Sequence, residues 1–265
     1  MTDPRISGAK LWLRRRDYIL ISSALAGVVA LAWAYLYYLT LDMARMAMPT
    51  MDMGTMAGMR EWSTADFALM FLMWSMMMVG MMVPTAMRTV LIYASIARHA
   101  NNQGTPIAAT YWFAVGYLLV WTIFSLAATL VQGALDNWGL LSPMMVSTSA
   151  TFGAALLIAA GLYQLTPWKD VCLKHCQSPA VYLASRFKPG IGGAIGLGFG
   201  HGVYCLGCCW AIMALLFLGG VMNLLWIAAI TGFVLGEKLL PPRLRLARAS
   251  GLAMVACGVV FLVYA

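Results

Sequence analysis

The sequence predicts an all-α membrane protein, one polytopic transmembrane helix bundle over residues 1–265 with about seven spans. Three observations predict it. Hydrophobic residues are 62% of the chain and charged residues 10%, against roughly 45–50% and about 25% in an ordinary soluble domain. The mean hydropathy is +0.82, more apolar surface than a water-facing fold of this length can cover. The apolar residues come in runs of about twenty, the length of a membrane-crossing helix, without the alternation of an outer-membrane strand. These features exclude a soluble enzyme, a disordered chain, a coiled coil and a secreted disulfide scaffold.

The elements follow in order. Residues 18–41 form the first span; the run is too long for a signal-peptide core and lacks a small-residue cleavage site, so it stays in the membrane. A methionine-rich loop occupies 42–64. The second span, 66–98, continues through Pro84, and the third covers 107–131. The fourth covers 147–166 and is followed by a Cys/His-containing loop, 168–189. The fifth and sixth, 190–218 and 221–235, are divided only by Gly219 and Gly220, and the seventh is 249–265. Gly192, Gly196 and Gly200 make a small-residue ladder on the fifth, suited to close approach of a neighbouring helix.

Orientation follows from the basic residues. Arg5, Lys10, Arg14, Arg15 and Arg16 precede the first span; Arg88 and Arg98, then Lys169, Lys174, Arg186 and Lys188, then Lys238, Arg243, Arg245 and Arg248 fall on the same side at alternate connections. The opposite connections hold Asp42, Asp52, Glu61, Asp66 and Asp136, with only Arg45 and Arg60 as bases. The positive-inside rule then puts the N-terminus in the cytoplasm and the C-terminus outside, in a bacterial inner membrane. It also accounts for the net charge of +8 without a nucleic-acid partner, since no basic stripe carries interleaved aromatics.

Soft metal ligands cluster at three places along the path from outside to inside. The first is the loop methionines Met43, Met46, Met48, Met51, Met53, Met56 and Met59, with Met70, Met73, Met77 and Met81 on one face of the second span. Thioether sulfur is a soft, uncharged donor that suits Cu(I). On the helix the competing reading is core packing by an adaptable side chain; for the loop it is a segment lying on the membrane surface. The second cluster is His201, Cys205, Cys208 and Cys209, spaced within roughly a 100° stripe of the fifth helix. Metal binding, redox chemistry and packing all remain open there. The third is Cys172, His175 and Cys176, which fit one helical turn or a tight loop and could hold Cu(I) or Zn(II). Lys169 and Lys174 beside them are expected to favour thiolate. Cys257 reads as packing, Asp66 and Asp136 as solvated. Glu237 and Lys238 mark the end of the sixth span and pair locally, unless Glu237 accepts protons at the inner mouth.

The stretches MMVGMMVPTAMRTVLIYASIAR, YQLTPWKDVCLKHCQSP and HGVYCLGCCWAIMALLFLGGVMNLLWIAAITGFVLGEKLLP resemble a bacterial family of predicted metal-binding integral membrane proteins of uncharacterised function. The resemblance runs from the second span to the seventh. It implies a multi-span inner-membrane protein with Cys172, His175, Cys176, His201, Cys205, Cys208 and Cys209 as ligands, and carries no role onto the methionine loop.

The expected function is handling of Cu(I) for uptake or delivery, through Met-rich and Cys/His sites in series. Expected partners are the lipid bilayer, the metal ion, and a periplasmic or cytoplasmic metallochaperone or a larger membrane complex. Zinc at Cys172, His175 and Cys176 is the alternative metal. The alternative functions are an assembly subunit of a complex such as a copper oxidase, and a membrane thiol–disulfide oxidoreductase. The outer connections contain no cysteine to receive electrons, which weighs against the last.

Overall fold

The structure, a computed structural model, describes residues 15–47, 62–102, 108–141, 149–240 and 246–264. The described elements are α-helices: α1 (Arg15–Ala47), α2 (Thr64–Asn102), α3 (Thr110–Asn137), α4 (Ala150–Gln164), α5 (Pro167–Gln177), α6 (Pro179–Arg186), α7 (Gly190–Ala214), α8 (Leu216–Gly219), α9 (Leu224–Leu239) and α10 (Leu246–Val263). Five stretches are long and apolar enough to cross a membrane: Arg15–Asp42, Thr64–Ala100, Thr110–Asn137, Gly190–Gly219 and Leu246–Val263. The pair α4 and α5, bent by 66°, would make a sixth. At 16 residues, α9 is shorter than the ~20 that a full perpendicular crossing takes.

The helix ends have local chemical causes. Ser63 and Asp66 form a reciprocal cap on α2: the Ser63 N–H donates to Asp66 Oδ2 at 3.0 Å, and the Asp66 N–H donates to Ser63 Oγ at 3.2 Å. Asp66 is therefore a capping residue rather than merely solvated. Asp136 likewise has a partner, the Trp62 indole N–H at 2.8 Å. Asn223 caps α9 by accepting from the Trp226 N–H at 3.2 Å. Gly220, at φ 92°, makes the turn that separates α8 from α9 where the glycine pair was expected to do so.

Pro84 sits inside α2. Its ring nitrogen has no proton for the carbonyl four residues back. That carbonyl, on Gly80, instead accepts from the Trp33 indole N–H of α1 at 3.3 Å. A buried backbone acceptor is thus satisfied from a neighbouring helix, the arrangement that lets proline persist in apolar surroundings.

Two helix pairs pack backbone against backbone. Between α3 and α7, a Cβ added to Gly198 would lie 2.0 Å from the Phe113 carbonyl oxygen, and one on Gly116 would lie 2.1 Å from that of Ile195. Between α4 and α10, a Cβ on Gly161 would lie 2.7 Å from the Gly251 oxygen. The ladder expected at Gly192, Gly196 and Gly200 is not the packing face: Cβ atoms at the first two would meet nothing within 4 Å, and one at Gly200 would meet the Tyr182 hydroxyl. The ladder that α3 uses is Gly198 and Gly202, offset by two residues.

The connection expected over 168–189 holds two short helices, α5 and α6. Of the loop methionines, Met43 and Met46 belong to the last turns of α1, because the helix runs on to Ala47. Met48, Met51, Met53, Met56 and Met59 lie outside the described residues. Cys257 is exposed on α10 rather than packed.

Candidate metal centre

The centre is assembled by α2, α3, α5, α7 and α9. Its frame is a buried ion pair. Thr166 caps α5 and Pro167 occupies the first helical position, where the missing N–H costs nothing. Lys169, in the first turn, is fully buried, with Nζ 2.7 Å from Glu237 Oε2 of α9. Gln164 donates to Glu237 Oε1 at 3.0 Å, accepts from Lys169, and donates to Ser250 Oγ at 3.0 Å. At the other end of α5, Gln177 donates to the Glu237 backbone oxygen at 2.9 Å. Both ends of α5 are therefore fastened to one residue of α9. Lys169 does not face the thiols, as its sequence position suggested, because Glu237 takes it; Lys174 is exposed.

Held in this way, α5 turns Cys172 and Cys176 towards α7. The Cys172 sulfur lies 2.8 Å from where a Cβ on Gly207 would sit, so it packs directly over the bare backbone of that residue. Cys176 Sγ lies 4.0 Å from Cys208 Sγ. With metal–thiolate bonds of about 2.3 Å, one ion joins two sulfurs separated by about 3.8 Å at a tetrahedral angle and about 4.6 Å in line. The observed separation falls inside that range. On α7, Cys208 and Cys209 are buried and each donates to the Cys205 carbonyl at 3.0 Å.

Cys205, one turn earlier, sits in a polar pocket inside an apolar core. Its Sγ is 2.9 Å from Lys238 Nζ and 3.1 Å from Tyr117 Oη. Lys238 also donates to Thr85 Oγ1 at 3.2 Å. Thr85 and Tyr117 both donate to the Met82 carbonyl, at 2.8 and 3.1 Å. Thr85 and Tyr117 were not singled out from the sequence, and Lys238 was read only as a partner of Glu237. A charged residue within an otherwise apolar helix was the available signal. Glu237 and Lys238 do not pair with each other: successive helical residues point about 100° apart, and each faces a different partner.

The imidazoles lie to one side. His201 is buried among the rings of Phe113, Tyr117 and Tyr182, and its Nδ1 has no hydrogen-bond partner among the described residues. His175 is stacked on Tyr204, with centroids 4.1 Å apart and planes 5° apart, and its Nδ1 is 2.8 Å from the Val171 oxygen. Tyr182 lies beside both histidines; burial, opposed by the charge of Arg186, pushes its phenol up to about 12. Among the described residues no three Cys, His, Asp or Glu side chains converge as a ready-made coordination sphere. The Cys176–Cys208 pair sits among contacting thiols, with Cys176 also against Cys205 and Cys209 against both Cys205 and Cys208.

On α2, Met73, Met77, Met78, Met81 and Met82 are buried, in the same apolar cluster as Cys205, Cys208 and Cys209. Met78 and Met82 extend the face expected from Met73, Met77 and Met81. Met70 packs at its edge, where its Sδ accepts from Gln132 Nε2 at 3.6 Å. A two-thiol pair in a core that also holds uncharged thioethers has the low coordination number and softness that suit Cu(I), whereas structural zinc takes four ligands.

A family model described as PpoB2, copper chaperone, matches residues 71–261. No curated protein and no solved structure matches the chain.

Proposed function

The chain belongs to the PpoB2 family of copper chaperones, and from that premise we propose that it handles Cu(I) within the bacterial inner membrane, for uptake or delivery, with Cys176 and Cys208 as its principal ligands. The single observation that carries the reading is the 4.0 Å separation of those two sulfurs across α5 and α7. The buried methionines of α2 supply weaker donors in the same core, and the methionines from Met43 to Met59, at the end of α1 and beyond it, collect the ion outside. Cys172, Cys209, His175 and His201 serve as auxiliary ligands as the ion enters or leaves. Soft sites of low coordination in series let ligands exchange without a deep trap.

The membrane placement is part of the same proposal: seven crossings, with α9 as the sixth and the N-terminus in the cytoplasm. What supports it is the outer face of the bundle. Leu31 is 73% exposed, Leu225 83% and Leu252 63%, and many large apolar side chains facing outward in this way belong in lipid or against a partner.

The test is an anaerobic titration of the full chain in lipid nanodiscs with Cu(I), against a chromophoric Cu(I) chelator. The expected result is one tightly held ion per chain, with affinity lowered by about two orders of magnitude in both Cys176→Ser and Cys208→Ser, the loss expected from removing a ligand or its support. Equal affinity in wild type and both variants would overturn the assignment. A Cys176–Cys208 disulfide in untreated membranes, with no bound copper, would favour the thiol–disulfide oxidoreductase instead.

A further inference from the structure

We propose that Lys238 makes this centre select a monovalent ion over a divalent one, an inference that rests on the copper-handling reading of the site. Two observations carry it. The first is position. Lys238 is 5% exposed, with Nζ 2.9 Å from Cys205 Sγ and 3.2 Å from Thr85 Oγ1. Cys205 lies one helical turn from Cys208 and Cys209, whose thiols both bond to its carbonyl. The ammonium is therefore beside the metal pair.

The second observation is that the nearest acid in sequence does not cancel this charge. Glu237 is taken by Lys169 at 2.7 Å and Gln164 at 3.0 Å. Lys238 is left to act on the thiol cluster.

Two physical effects point the same way. Coulomb energy scales with the charge of the ion, so a fixed ammonium repels a dication twice as strongly as a monocation at the same distance. Water-poor surroundings enlarge that difference. In addition, Nζ lies 2.9 Å from the Cys205 sulfur and competes with a metal ion for it. A two-thiolate site suffices for Cu(I), but a divalent ion such as Zn(II) needs the extra ligands. Lys238 thus withholds Cys205 from the coordination sphere and adds positive charge where a dication would sit. Thr85 and Tyr117 fix this geometry from α2 and α3.

The test uses the full chain in lipid nanodiscs, titrated anaerobically with Cu(I) and separately with Zn(II), each against a chelator of known affinity. The variants are Lys238→Met, which removes the charge at similar volume, Lys238→Gln as a second neutral replacement, and Lys238→Arg, which keeps the charge. Circular dichroism melts confirm that each is folded. Either neutral variant should gain Zn(II) affinity relative to Cu(I) by about tenfold or more, while Lys238→Arg keeps the wild-type ratio, because the effect follows charge. An unchanged ratio in a folded neutral variant, with Cu(I) still bound by wild type, would overturn the role of Lys238 alone. Failure of wild type to bind Cu(I) would overturn the underlying reading of the site.

Discussion

Glu237 and Lys238 show how much one step along a helix can decide. The two side chains leave α9 about 100° apart; one enters the Lys169–Gln164 frame and the other the Cys205 pocket. Next to Pro241 and Pro242 they look like an ordinary helix end, so neither role was legible in the sequence. Breaking a buried ion pair on one side is costly because it strands the other charge, whereas replacing both partners with apolar groups is often nearly neutral. Lys169→Met should therefore destabilise the protein by about 3–5 kcal/mol, and the double replacement of Lys169 and Glu237 by Met should recover most of that loss. Denaturation of the two variants in the same detergent checks this. A double variant no more stable than Lys169→Met would show that the pair acts through something other than mutual neutralisation. The thiols themselves were legible: Cys172, Cys176, Cys205, Cys208 and Cys209 were all picked out by residue type and spacing. Their pairing was not, because the contact of Cys176 with Cys208 joins residues 32 apart, with α6 and the turns on either side of it between them.

At the scale of elements, helix–helix approach is set by single glycines. A side chain at Gly198 would collide with the Phe113 carbonyl of α3, while one at Gly196 would meet nothing within 4 Å. Gly198→Val should lower the melting temperature by several degrees or prevent folding, with a cost of at least the 1–3 kcal/mol typical of overpacking. Gly196→Ala should leave it unchanged or raise it slightly, since alanine is the better helix former. Equal effects at the two positions would mean that α7 does not contact α3 through Gly198. The long apolar helices were readable because a run of about twenty apolar residues has few other destinations. The glycine face was not readable. Glycines recur at 190, 192, 193, 196, 198, 200 and 202, so two four-residue ladders were available, and the approach of Phe113, Tyr117 and Val120 of α3 decides between them. The helices α5 and α6 were missed as elements because they are short and mixed in polarity. Their start signals, Thr166 with Pro167 and Ser178 with Pro179, were nonetheless present in the sequence.

For the whole molecule, the core lies where α2, α3, α7 and α9 meet, and the buried thiols Cys205, Cys208 and Cys209, the proposed metal centre with Cys176, belong to that core rather than to its surface. Binding and stability should consequently be coupled: an ion that binds only the folded chain stabilises it by mass action. Cu(I) added at a hundredfold excess over its dissociation constant should raise stability by about 2.7 kcal/mol in wild type and much less in Cys208→Ser. A thermal shift assay on both reads this directly, and an equal shift in the two would place the ion elsewhere. The measurement that tests the central claim most directly is copper K-edge X-ray absorption on the full chain loaded with one Cu(I). The account predicts a first shell of two sulfurs, degraded when either Cys176 or Cys208 is replaced by serine. A shell dominated by nitrogen or oxygen, or a sulfur shell that survives both replacements, would contradict it.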